Sequence, residues 1–307
     1  MSPGRCQRRS HRVVAPGLAS VPVATAGLLC LMVLLLACNP DRAEAVDYYN
    51  QGMEAGSSEA TADLMEQALE VDPTFSTAAY SLGQVYQFRL SDPESAEEQF
   101  RLARRHESDN PRYAYRLATA LADQGEHQEA VEYFREAIEL HPQYARAWFE
   151  KAMSQDAAGE SAKAAQTYIT AIEVNPRLRM DEHDAGGEHY HALADLYLRY
   201  RLFDHAVRVY EDGVRNNPAS ARLAHGLGIS LMELERFEQA VEAFDKALDI
   251  DEDHAWANYN IAIAMDGAGQ TEEAIEQLES ILERPGREMT ETHIHAAQRL
   301  LDDLQSG

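Results

Sequence analysis

The residues with the greatest chemical reach in this 307-residue chain are histidines. His183, His189 and His191 crowd one stretch with Asp181, Glu182 and Asp184, and imidazole with carboxylate is a donor set that suits zinc or nickel. The spacing argues against a metal. His189 and His191 are two residues apart, so on one helix they point to different faces. The His-Glu-x-x-His pattern of helical metalloproteases is also absent. A solvated acidic loop accounts for the cluster, and His293-x-His295 near the C-terminus has the same defect. No metal or other cofactor is expected.

Other catalytic chemistry is thinner still. The sequence has no Gly-x-Ser-x-Gly nucleophile elbow, no phosphate-cradling glycine loop, and no carboxylate pair distinct from the solvated faces. Cys6, Cys30 and Cys38 are the only cysteines, all within the first forty residues. The body therefore has no disulfide framework, zinc-binding thiolates or thiol nucleophile. The expectation is a protein that is not an enzyme.

Charge narrows the partners. The chain is formally −25, and residues 1–37 hold Arg5, Arg8, Arg9 and Arg12 and no acid. The remainder carries 23 basic against 52 acidic residues, a balance of −29. Such a surface repels phosphate backbones, so no nucleic acid is expected as a ligand. Lys151, Lys163 and Lys246 are the only lysines.

The N-terminus has the layout of an export signal, a basic stretch from Arg5 to Arg12 followed by an apolar run from Gly17 to Ala37. Leu35-Leu36-Ala37-Cys38 at its end resembles the lipobox of bacterial lipoproteins. That resemblance implies cleavage after Ala37, lipidation of Cys38 and residence in the bacterial cell envelope. Asn39, rather than Asp, then implies outer-membrane sorting in a Gram-negative host. The alternative for residues 1–37 is an uncleaved membrane anchor, since the apolar run can span about 30 Å of hydrocarbon as a helix. Under either reading the positive-inside bias places the body outside the cytoplasm, facing the periplasm or the exterior.

After a linker at 38–43, the chain repeats itself every 34 residues, most cleanly in 111–144, 145–178, 187–220, 221–254 and 255–288. The twentieth position of each unit is Ala130, Ala164, Ala206, Ala240 or Ala274. Four residues later comes a bulky knob: Phe134, Tyr168, Tyr210, Phe244 and Leu278. The eighth position is small throughout (Ala118, Ala152, Ala194, Gly228, Ala262). Gly125, Gly159 and Gly269 fall where a first helix should stop, and Pro142, Pro176 and Pro218 where a second one closes. This alternation resembles the tetratricopeptide repeat, whose hairpins cannot bury their apolar sides alone and must stack.

Two looser units precede these, 44–75 and 76–110, the second carrying a small insertion. Residues 179–186 are a larger insertion between units. Residues 289–307 are expected to cap the stack, with Thr290 starting a helix whose stripe is Ala297, Leu300, Leu301 and Leu304. The expected fold is all-α, a right-handed superhelical solenoid of about seven hairpins, with repeats 1–4 over 44–178 and repeats 5–7 over 187–288.

The resemblance implies a working surface: the concave groove lined by the second, fifth, ninth, twelfth and thirteenth positions of each unit. These include Tyr80, Arg112, Tyr115, Arg146, Phe149, Met153, His191, Arg222, His225, Met232, Trp256 and Tyr259. Aromatics and methionine are enriched at protein interfaces, and Tyr80, Tyr115, Phe149 and Tyr259 at the fifth position are expected to face the groove. Arg112, Arg146 and Arg222 share the second position, which points to carboxylates on the partner. The lysines and asparagine of a chaperone-tail clamp are not assembled here.

One unit departs from the pattern. Lys151 and Gln155 stand where the other clean units have apolar residues, and an unpaired buried ammonium is costly. With the insertion next to it, this unit is expected to form a soft joint. The function expected is a membrane-anchored scaffold that holds a segment of another protein, in assembly of an envelope complex. The alternative is a self-associating spacer, and the oligomeric state is left open.

Overall fold

The structure is a computed structural model describing residues 40–178, 186–286 and 289–306. The export signal, Cys38 and His183 lie outside the described residues.

Seven antiparallel helical hairpins follow one another: α1 (Pro40–Glu54) with α2 (Ser58–Val71), α3 (Ser76–Val85) with α4 (Pro93–His106), α5 (Pro111–Asp123) with α6 (His127–Leu140), α7 (Ala145–Ala157) with α8 (Ser161–Val174), α9 (Glu188–Arg199) with α10 (Phe203–Asn216), α11 (Ala221–Met232) with α12 (Phe237–Ile250), and α13 (Ala255–Gly267) with α14 (Thr271–Glu283). A single helix, α15 (Glu291–Ser306), closes the stack. No strand occurs among the described residues. Helix α1 already begins at Pro40, so four residues of the expected 38–43 linker are helical.

The local sequence explains where helices begin and end. Asn110 accepts the Arg112 N–H and Pro111 takes N1, where its missing donor costs nothing. The fifteenth position ends the first helix of each clean unit in the left-handed region. Glycine fills it at Gly125 (φ 83°), Gly159 (81°) and Gly269 (79°), whereas Arg201 (56°) and Glu235 (58°) hold the same turn with a side chain. The geometry is required by the hairpin, and glycine is only the cheapest way to reach it.

Packing follows the small-and-large alternation. Phe100, Phe134 and Phe244 are fully buried, Tyr168 and Tyr210 nearly so, each against the small eighth position of its own hairpin. At Gly228 a β-carbon would lie 2.5 Å from the Phe244 ring, so here even alanine is too large. Burying one such ring contributes about 1.5–3 kcal/mol, and repetition along the chain yields a stack of small cores. Each helix packs on the next, and α5 on α7, α9 on α11, α11 on α13 and α13 on α15 also touch, so the first helices lie side by side along one face.

Three irregularities have physical causes. Unit 76–110 is one residue longer than the 34-residue period, and the excess is absorbed as a π-helical turn, Tyr86–Leu90, at the end of α3. That turn ends at Ser91 in the left-handed region and leaves Phe88 exposed in the groove, with the Arg116 guanidinium 4.9 Å from its ring centroid.

The two sides of the insertion are joined directly, because the Gly187 N–H donates to the Leu178 carbonyl at 3.3 Å. Phe149, Ala152, Tyr168, Leu178, Leu193 and Leu196 form one core across it, and Asn217 donates to the Pro176 carbonyl. Lys151 lays its ammonium 5.3 Å from the Trp148 ring centroid, and buried Gln155 accepts a 2.7 Å hydrogen bond from Thr167. Lys151 and Gln155 thus each have a partner, so neither stands as an unanswered polar group in α7.

At the C-terminus the Thr290 N–H donates to His293 Nδ1 at 3.0 Å, a capping box with imidazole in the acceptor role. The stripe of α15 packs on Leu278, Ile281 and Tyr259.

Candidate functional site

The layer of first helices carries the candidate site. At its middle, Phe149 and Met153 of α7, Tyr168 of α8, Glu188, His191, Ala192 and Asp195 of α9, and Arg222 of α11 line an open cavity of about 400 Å³. Three consecutive hairpins contribute, so the cavity exists only because they stack. Met153 is 45% exposed at its mouth. Of the positions expected in the groove, Phe149, Met153, His191 and Arg222 are brought together here.

The fifth-position residues lie deeper than expected. Tyr115 and Phe149 are buried rather than facing the groove, at 3% and 5% exposure. The reason is regular. The fifth-position ring packs on the twenty-fourth-position ring of its own hairpin: Tyr115 on Phe134 (5.8 Å between centroids), Phe149 on Tyr168 (5.8 Å), His191 on Tyr210 (6.0 Å) and His225 on Phe244 (5.6 Å). Tyr80 does the same with Phe100 at 5.9 Å. Tyr80, His191, His225, Met232 and Tyr259 are half-buried, whereas Arg112, Met153, Arg222 and Trp256 are exposed.

One of the three second-position arginines is engaged within the protein. Arg222 Nη1 lies 2.6 Å from both carboxylate oxygens of Glu188, so its charge is already answered within the protein. Arg199 of α9 pairs with Asp156 of α7 in the same manner. Gln87 reaches Thr119 and Asp123, and Asn260 lies 3.1 Å from His225 Nε2. Several polar groove positions therefore join neighbouring repeats. Opposite charges at matching positions one repeat apart, Glu188 and Arg222, were a legible signal of this.

Histidine chemistry divides by depth. His189 is fully buried beside the Tyr190 ring, while His191 reaches the groove and meets the Tyr210 hydroxyl with Nδ1 at 3.0 Å. Burial, with Arg222 nearby, holds the His191 pKa below its usual range. His225 is pushed down to about 4 by burial and by the neighbouring His254 and His191. Among the described residues no three His, Cys, Asp or Glu side chains gather in a way that could hold a metal ion. No described helix is long and apolar enough to cross a membrane.

Tyr168 is the cavity residue that sequence reasoning assigned to the core alone. Its hydroxyl reports the local field: burial raises its pKa, and Asp156, Glu150 and Asp195 raise it further, against Arg199.

These features define a stacked-hairpin solenoid with a lined concave face, the architecture of a protein-binding scaffold. Residues 85–145, 115–177 and 219–285 match family models for the tetratricopeptide repeat, together just over half of the chain, and the chain belongs to that family. An uncharacterized protein of Methanocaldococcus jannaschii is 30% identical over 76 residues, 25% of this chain and 88% of that one. A tetratricopeptide repeat protein from Parabacteroides merdae superposes with a TM-score of 0.54 at 13% identity, covering 87% of this chain and all of the other. YrrB, described as carrying an unusual peptide-binding site, superposes at 0.50 with 18% identity, covering 66% of this chain and 99% of its own.

Proposed function

We propose that the chain is a membrane-anchored, extracytoplasmic adaptor that grips a segment of another protein in its concave face, in service of an envelope assembly. The observation that carries the binding half of this reading is the cavity between α7, α9 and α11, which has an exposed methionine at its mouth and aromatic rings at its floor. Such a concavity, apolar within and charged at the rim, is the usual anatomy of a site that takes one anchoring side chain. The peptide-binding description of YrrB, a protein of the same fold, supports the same reading. The anchoring half is supported by the sequence, through the basic start, the apolar run and Leu35-Leu36-Ala37-Cys38.

Both halves are tested in membranes of a bacterial expression host. Crosslinking and pull-down should compare the wild type with Met153→Glu/Trp256→Ala, two exposed positions, with circular dichroism confirming that the variant folds. A partner lost only from the variant supports groove binding, and identical partner sets refute it. Cys38→Ser should abolish labelling by radioactive palmitate and leave the larger, uncleaved chain. Unchanged labelling, or none in the wild type, refutes the lipoprotein reading.

A further inference from the structure

The cavity between α7, α9 and α11 has a charge preference of its own, opposite to the one the row of second-position arginines implies. Arg222 already contacts both oxygens of Glu188 through Nη1, so an incoming carboxylate would have to compete with a partner in place. Arg199 is shared between Asp156 and, at 3.6 Å, Asp195. The charged residues that line the cavity are thus Glu188 and Asp195 against Arg222, with the Asp156–Arg199 pair beside them. Asp195 is the more open of the two carboxylates, its side chain 54% exposed on the cavity wall and, among the described residues, paired by the long contact to Arg199. Beneath it the lining is Met153, Phe149 and Tyr168, a thioether and two aromatic rings.

A wall of this kind fits a side chain with a long apolar stem and a cationic tip. The methylenes of lysine or arginine bury against methionine and aromatic faces while the charged head stays at a wet rim. The formal charge of −25 on the whole chain acts in the same direction at longer range, drawing basic segments toward it and repelling acidic ones. Resting on the groove reading above, we infer that the segment held in this cavity is basic, and that a lysine or arginine of the partner lays its stem over Met153 and sets its cation against Asp195.

The test uses the purified chain and a random dodecapeptide display library. Peptides selected on the wild type are expected to be enriched in Lys and Arg. One selected peptide, labelled with fluorescein, is then titrated by anisotropy against Asp195→Asn and Asp195→Lys, with circular dichroism melts confirming that both fold. The expected losses are about fivefold for Asp195→Asn and about 50-fold for Asp195→Lys, both shrinking in high salt. The same peptide with its central basic residue changed to Glu should recover at least about tenfold on Asp195→Lys.

Selected peptides that are acidic or uncharged, or affinity indifferent to Asp195, overturn this inference. They leave the groove reading standing provided that Met153→Glu still abolishes binding. Peptides indifferent to Met153→Glu as well, or no selection at all, overturn both.

Discussion

Arg222 and Glu188 occupy the same position in consecutive repeats, and the guanidinium of one contacts both carboxylate oxygens of the other at 2.6 Å. A bond between equivalent positions is a bond between neighbouring hairpins, so it sets their stacking more than the stability of either. Because Arg222 is exposed, a double-mutant cycle with Arg222→Ala and Glu188→Ala should give a coupling of no more than about 1 kcal/mol, falling with salt. Chemical denaturation of the four proteins measures it, and a coupling above about 2 kcal/mol would show the pair to be buried in solution.

Gly228 and Phe244 are expected to be intolerant partners. A β-carbon at 2.5 Å from the ring forces Phe244 from its place, so Gly228→Ala should destabilise by about 1–3 kcal/mol despite alanine's better helix propensity. Thermal melts check this, and a stabilised Gly228→Ala would mean that the ring has room to withdraw.

The opposite sign is expected at the fifteenth position. Glu235 holds φ at 58° where three other units use glycine. Glu235→Gly should stabilise by about 0.5–1 kcal/mol, after allowing for the added freedom of glycine in the unfolded chain. A lower denaturation midpoint for this variant contradicts the argument.

Gln155 and Thr167 make a paired prediction. Thr167→Val removes the donor to a buried amide oxygen and should cost about 1–3 kcal/mol, whereas Gln155→Leu/Thr167→Val should recover most of that loss. Hydrogen exchange on the same proteins examines the joint: wild-type α7 should be as protected as α5 and α11. Faster exchange confined to α7 would restore the soft-joint expectation.

Acid should loosen the stack through His225. Its folded pKa is about 4 and its unfolded value about 6.5, so between those values the unfolded chain takes up a proton that the fold refuses. This contribution is fully present above about pH 6.5 and is lost as pH falls toward 4, with a limiting slope of about 1.4 kcal/mol per pH unit. His225→Gln should flatten the pH dependence of melting between pH 7 and 5. An equally steep profile in the variant assigns the effect to other groups.

The repeats were legible because their steric roles are tied to single positions. Ala130 and Phe134, or Ala164 and Tyr168, declare a helix crossing wherever they occur. The extra residue of 76–110 was visible too, but not that a π-helical turn would absorb it, since an insertion can equally be spent in a loop. The depth of the fifth position was the main misreading. Tyr115 and Phe134 are both plain in the sequence, yet their contact depends on how closely α5 and α6 cross, which the alanines set without stating. For the same reason Arg222 read as a free charge, although its answer stood one repeat earlier at Glu188.

The hydrogen bond from Gly187 to Leu178 joins the two sides of the insertion directly, and the core of Phe149, Tyr168, Leu193 and Leu196 runs across it, so the register on either side does not depend on how many residues stand between 178 and 187. Length is therefore a free variable at that one site. A fluorescent reporter or a passenger domain with adjacent termini spliced between 178 and 187 should leave the register of α7 and α9 untouched, whereas the same graft at the tight turns between α5 and α6 or α11 and α12 would pry a hairpin open.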